Sequence, residues 1–192
     1  MTSDATSCET ISAEIVSETF ISSPPAAAII SAQPGDMIVA PLAAGHRRGA
    51  FRSGTSEFDR YFRSQAGRDA VRRSAAVFVL VMPDEKIAGY YTLAPATVLL
   101  PDLLGNGTRK TSRYPPMSAV RLARLAIDKR RSGRGFDIHL LADAMVRAQA
   151  MAGVVALIAD APSKTVQDFY ARQNLAVFPD RPDRYFWPMA GN

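Results

Sequence analysis

A strand, a basic glycine turn and a helix follow one another between Ser118 and Ala152, and this unit limits the possible folds more than any other segment. Ser118 to Asp128 reads as a strand, interrupted in its apolar run by Arg121 and Arg124. Lys129 to Gly135 has no apolar side chain and two glycines, so neither strand nor helix continues through it. Ile138, Leu141, Met145, Ala148 and Ala152 then recur at three- and four-residue spacing, which predicts a helix packed on a sheet, closed by Gly153. Such a turn collects unpaired N–H groups and the positive end of the helix dipole, which together favour an anion. Glycine lets the backbone approach phosphate oxygens closely. The Gly-Lys-Ser/Thr ending of a P-loop is absent, and Ile138 stands where a dinucleotide fold needs its third glycine. Taken alone, Arg130 to Gly135 reads equally well as a basic surface turn.

The neighbouring segments fit one sheet around this unit. Met37 to Ala40 reads as a short first strand, and Phe58, Tyr61 and Phe62 lie on one face of a helix that continues in basic residues to Arg73. Ala75 to Met82 and Ile87 to Leu93, separated by Pro83-Asp84, predict an antiparallel hairpin. Leu100 to Pro116, with Gly105, Gly107 and three prolines, predicts a loop. After the central helix come a strand at Val154 to Asp160, a helix at Pro162 to Gln173, and two short strands near Leu175 to Phe178 and Arg184 to Trp187.

Charge is placed unevenly. Residues 1–40 carry Asp4, Glu9, Glu14, Glu18 and Asp36 but no Lys or Arg. The rest of the chain therefore sets all 23 basic residues against 13 of the 18 acidic ones, a formal +10 that suits a polyanionic partner or an anionic cofactor. Residues 1–36, rich in Ser, Thr, Ala and Pro, read as a weakly ordered leader, and 37–192 as one catalytic domain. The single Cys8 offers no disulfide or cysteine-based zinc site, and no apolar run reaches the length of a membrane span. These features fit a cytoplasmic protein. His46 and His139 stand in no metal or triad spacing and read as structural or surface residues.

The hexapeptide Arg130-Arg131-Ser132-Gly133-Arg134-Gly135 resembles the Arg/Gln-x-x-Gly-x-Gly/Ala pyrophosphate loop of the GNAT acetyltransferases, and the order of elements around it is similar to theirs. The resemblance implies an α/β (α+β) fold with a mixed central sheet of six to seven strands and helices on both faces. It implies acetyl-CoA as acyl donor. Its pyrophosphate would be held by amides of Arg130, Arg131, Ser132, Gly133, Arg134 and Gly135, and its pantetheine aligned by main-chain groups of Leu125, Ala126 and Ile127. Asp168 to Leu175 resembles the family's Phe-Tyr-x-x-x-Gly-Phe segment, which makes Tyr170 the candidate general acid for the departing thiolate. Asn174 replaces the glycine and Leu175 the aromatic, both tolerable changes. Asp160 and Ser163 flank the preceding turn and read equally well as site residues or as turn and cap residues.

Within that superfamily, residues 37–189 resemble the acetyltransferase toxins of bacterial toxin–antitoxin modules. Phe51-Arg52-Ser53-Gly54 with Phe58-Asp59 and Tyr61-Phe62, Gly89 to Leu93, and Leu122-Ala123-Arg124-Leu125-Ala126-Ile127-Asp128 carry the likeness. An arginine inside an apolar strand is unusual without a purpose. Ser53 in place of cysteine, Pro162 in place of leucine and the long leader are departures. The resemblance implies acetylation of the α-amine of an aminoacyl-tRNA, which halts translation, and a ribbon–helix–helix antitoxin as partner; a homodimer is left open. Arg72, Arg73, Arg109, Lys110 and Arg113 are candidates for tRNA contact, each of which reads singly as a solvated charge. Two rival readings stand beside this one: acetylation of a small amine or protein, and a non-catalytic basic module that binds nucleic acid.

Overall fold

The computed structural model describes residues 37–104 and 115–189. In chain order the elements are β1 (Ile38–Pro41), α1 (Ser56–Ser64), α2 (Ala66–Arg72), β2 (Ala76–Val81), β3 (Ile87–Val98), α3 (Leu100–Leu104), β4 (Met117–Ile127), a 3-10 turn (Lys129–Arg131), α4 (Phe136–Gln149), β5 (Ala156–Asp160), α5 (Lys164–Arg172), β6 (Ala176–Phe178) and β7 (Arg181–Pro188). The strands form one seven-stranded sheet in the order β1-β2-β3-β4-β5-β7-β6. β4 and β5 are parallel and every other pairing is antiparallel, so the sheet is mixed.

Side chains alternate across a strand, and both faces of this sheet are apolar. Tyr91, Leu93, Leu122 and Leu157 pack with Leu140, Leu141 and Met145 of α4 and with Tyr170 of α5. Tyr90 and Ala126 lie on the opposite face with Tyr61 and Phe62 of α1, where Phe62 stacks on Tyr90 at a centroid distance of 4.2 Å. A third cluster, Ala119, Ile158, Phe178 and Phe186, covers the β5–β7 end. Gly89 permits a close helix-on-sheet contact. A Cβ there would stand 2.7 Å from the Ile127 side chain and 2.8 Å from Leu140, so only glycine seats α4 and the turn before it at this depth.

The hairpin and the strand–turn–helix unit form as the sequence predicts, with three differences. The basic helix after Gly54 is two helices broken at Gln65. The stretch expected as loop from Leu100 begins with helix α3; residues 105–114, which hold Arg109, Lys110 and Arg113, lie outside the described residues, as does the leader 1–36. The buried stripe of α4 is Leu140, Leu141, Ala144, Met145 and Ala148, whereas Ile138 is 39 % exposed in the first turn and Ala152 lies past the helix end. The spacing gave the right period but a phase rotated toward Ile138, because sequence alone does not say which flank of the stripe meets the sheet.

Candidate active site

β4 is paired along its whole length to β3 but only in part to β5. The β4–β5 ladder runs from Val120↔Leu157 to Leu122↔Ala159 and stops. At that point the β3 partners jump from Thr92↔Arg124 to Leu93↔Leu122, leaving Ala123 as an extra residue. Such a bulge bends a strand and ends pairing. Beyond it, Arg124 to Ile127 have hydrogen-bonded neighbours on the β3 side and face an opening on the other. The structure thus brings the three candidate pantetheine positions, Leu125, Ala126 and Ile127, onto an open strand edge.

This edge leads into the glycine turn. Asp128, 1 % exposed at its side chain, organises the turn's first half: its carboxylate accepts from the Arg130 amide (3.0 Å), the Arg130 guanidinium (2.7 and 2.8 Å) and the Arg52 amide (3.2 Å). The Arg130 guanidinium holds the Asp128 carboxyl below its usual pKa, and the two amides add to this against the opposing effect of burial. The Arg131 amide donates to the Asp128 carbonyl at 2.7 Å and the Ser132 amide reaches the Lys129 carbonyl at 3.5 Å. Three of the six amides assigned to the pyrophosphate are therefore already engaged.

The opening lies further on. Among the described residues, the amides of Gly133, Arg134, Gly135, Phe136, Asp137 and Ile138 donate to nothing, and the first α4 bond runs from His139 to the Gly135 carbonyl. Gly133 (φ 76°) and Gly135 (φ 75°) are left-handed, and a Cβ on either would point into open space. Six free donors at the start of a 14-residue helix, with nothing in front of the glycines, are suited to a pyrophosphate. Arg134 is exposed beside them, while Arg130 folds back on Asp128 and Arg131 leans toward Asp84 at 3.5 Å.

Across the fork, α5 follows β5 and begins at Ser163, whose hydroxyl caps the Val166 amide. Asp160, at the end of β5, pairs with Arg121 and with Arg184 (2.7 Å). Tyr170 is 5 % exposed, its ring 5.9 Å from that of Tyr185. Burial, and after it the Asp160 charge, push the Tyr170 hydroxyl above its ordinary pKa, so it stays protonated through the neutral range. Asn174 takes the left-handed conformation (φ 59°) expected of a glycine substitute after a helix.

On the face opposite α4, Ser53 donates to Asp59 through both its amide and its hydroxyl, each at 2.7 Å, and Lys129 donates to the Arg52 carbonyl, so the Arg52-Ser53 segment is tied to the turn. Arg124 lies with its guanidinium 3.8 Å over the Tyr61 ring. Arg72 and Arg73 are exposed at the end of α2, away from these contacts. Sequence reasoning missed Asp128 as an organiser, although an aspartate between an apolar strand and a basic turn is a capping signal. The described residues contain no His/Cys/Asp/Glu group arranged to hold a metal.

No family model matches the chain. A tRNA-acetylating toxin of Mycobacterium tuberculosis (strain ATCC 25618 / H37Rv) is 31 % identical over 136 residues, which is 69 % of this chain and 80 % of that protein. Among solved structures, AtaT complexed with acetyl-methionyl-tRNAfMet superposes with a TM-score of 0.71 at 23 % identity, covering 80 % of this chain and 95 % of AtaT. A mutant AtaT toxin bound to the C-terminus of the antitoxin AtaR and acetyl-CoA gives 0.67 at 20 % identity, covering 80 % and 93 %. The open β4 edge, the glycine turn and the sequence identity to the mycobacterial toxin agree, and this chain belongs to the GNAT acetyltransferase toxins of toxin–antitoxin modules.

Proposed function

We propose that this protein transfers the acetyl group of acetyl-CoA to the α-amine of an aminoacyl-tRNA and so blocks translation. The observation that carries this reading is the pair of unused surfaces on either side of the engaged Asp128–Ser132 turn: the open edge at Leu125 to Ile127 and the free amides of Gly133 to Ile138. The arrangement supports a long substrate with a pyrophosphate at one end and an amide-bearing arm at the other. The 31 % identical relative is named as a tRNA-acetylating toxin, and AtaT is solved with acetyl-methionyl-tRNAfMet, which supports charged tRNA as acceptor.

In the reaction the neutral amine attacks the thioester carbonyl, an N–C bond forms, the C–S bond breaks, and the amine loses a proton to water, which afterwards restores the one that Tyr170 gives. Tyr170 supplies the proton that the thiolate takes on leaving, a role its buried, protonated hydroxyl supports. Holding both reactants in the fork between β4 and β5 supplies orientation without a covalent enzyme intermediate. Arg72, Arg73, Arg109, Lys110 and Arg113 are proposed to meet the tRNA backbone, where charge rather than base sequence is recognised. The regulatory partner is proposed to be a ribbon–helix–helix antitoxin whose tail covers this site; AtaT is solved bound to the C-terminus of its antitoxin AtaR. Residues 37–192 are proposed as the whole catalytic unit.

Labelled acetyl-CoA incubated with the protein and charged total tRNA should yield label in the aminoacyl fraction, released by mild base. Label that stays on protein, or turnover that needs no tRNA, would replace this acceptor with a protein side chain or a small amine.

A further inference from the structure

Between the two clusters on the face opposite α4 lies a polar spot that the described fold does not satisfy. Thr92 is fully buried, and among the described residues its hydroxyl has no partner. Directly across the β3–β4 ladder stands Arg124, whose Nε is also buried without a partner. Among the described residues Arg124 forms neither a hydrogen bond nor an ion pair, and its guanidinium carbon lies 3.8 Å over the Tyr61 ring. Tyr61 is itself 3 % exposed, and burial pushes its hydroxyl up to about 12, with the Asp69 carboxylate adding to this, so it is a neutral, rigid platform.

The buried Nε of a half-buried arginine and a fully buried hydroxyl, both without a partner among the described residues, are costly unless a ligand completes them. Stacking on the ring fixes the guanidinium plane and leaves its edge to bind. Arg124 is also the first β4 residue past the Ala123 bulge, adjoining the open edge Leu125–Ile127. The niche therefore adjoins the open edge on the face opposite α4, beside Tyr61 of α1. A guanidinium N–H and a hydroxyl can both donate, so the missing partner is an oxygen acceptor.

We propose that Arg124 and Thr92 bind the ester carbonyl oxygen of the aminoacyl group, with Tyr61 holding the guanidinium in plane. This rests on the reading of aminoacyl-tRNA as acceptor. The niche orients the amine through the carbonyl one carbon away, and it makes charged tRNA distinguishable from uncharged. The arginine's charge also favours the neutral, nucleophilic form of the amine beside it.

The test measures acetyl-CoA affinity, melting temperature, kcat/KM for charged tRNA, and affinity for uncharged tRNA, in the parent, Thr92→Val and Arg124→Met. Thr92→Val removes a hydroxyl that bonds nothing in the free protein, so it should melt at or above the parent temperature. It should nevertheless lose about three- to tenfold in kcat/KM, and Arg124→Met about ten- to a hundredfold, the ranges for one neutral and one charged hydrogen bond. Acetyl-CoA and uncharged-tRNA affinities should not change. Parent-level kcat/KM in the Thr92→Val and Arg124→Met proteins overturns the niche. An equal loss of affinity for uncharged tRNA overturns the carbonyl in favour of a phosphodiester. A parent that binds acetyl-CoA yet acetylates no charged tRNA overturns the acceptor reading itself.

Discussion

The two halves of β4 have nearly the same composition and opposite roles. From Met117 to Leu122 the strand is closed on both sides, with β3 along one edge and, on the other, Val155 bonded to Ser118 and the short ladder to Leu157–Ala159. From Arg124 to Ile127 only the β3 side is paired. One extra residue, Ala123, separates a half that holds the sheet together from a half whose outer edge is unpaired among the described residues. Substitutions in the closed half should therefore act on stability and those in the open half and its turn on binding and rate.

The largest effect is expected opposite the open half. Tyr170→Phe should keep the fold and acetyl-CoA affinity but slow transfer by about 10²–10⁴-fold, the range for losing a positioned acid. Single-turnover kinetics with charged tRNA measures this, and near-parental rates would leave Tyr170 as a packing residue between Tyr185 and Phe169. Because burial raises the Tyr170 pKa, the parent's kcat should show no alkaline fall from this hydroxyl near pH 10, where an unperturbed tyrosine titrates.

In the closed half, Leu122→Ala should cost about 2–5 kcal/mol by leaving a cavity against α4, with acetyl-CoA affinity unchanged in the folded fraction. Denaturant melts with calorimetry test both parts. Gly135→Asp gives the complementary result: acetyl-CoA affinity falls, by charge repulsion and intrusion on the phosphate, while stability drops by only about 1–2 kcal/mol for a left-handed non-glycine residue. Affinity at the parental level would remove the turn from the site.

Asp128→Asn should destabilise by about 1–3 kcal/mol, since a buried acceptor for two amides and Arg130 is weakened. Its sign with pH follows from the lowered pKa. The parent's advantage is fully present above about pH 4, the unfolded value, and shrinks as pH falls through the lower folded value. A stability gap constant from pH 7 to pH 2 would show that the carboxylate charge is not the cause. The smallest effect is expected from deleting residues 1–36, which should leave acetyl-CoA affinity and melting temperature as they were; loss of either would make the leader part of the domain.

Local sequence was enough for the order of elements, because period and turn chemistry act within a few residues. The helix at Phe136–Gln149, the hairpin of β2 and β3 and the glycine turn all follow from spacing and from where Gly, Pro and Asp stand. Tertiary structure decided what those elements do. It bonded the Arg52 amide to the Asp128 carboxylate across 76 residues and the Lys129 amide to the Arg52 carbonyl, fixing the turn against a distant segment. It ended the β4–β5 ladder at Leu122, and it set Thr92 opposite Arg124 from a strand 32 positions away in the chain. Such pairings depend on register and burial between distant segments, and no local pattern records them; the sequence alone determined that a basic glycine turn would follow β4, and the packed sheet determined which of the surrounding atoms remain unpaired.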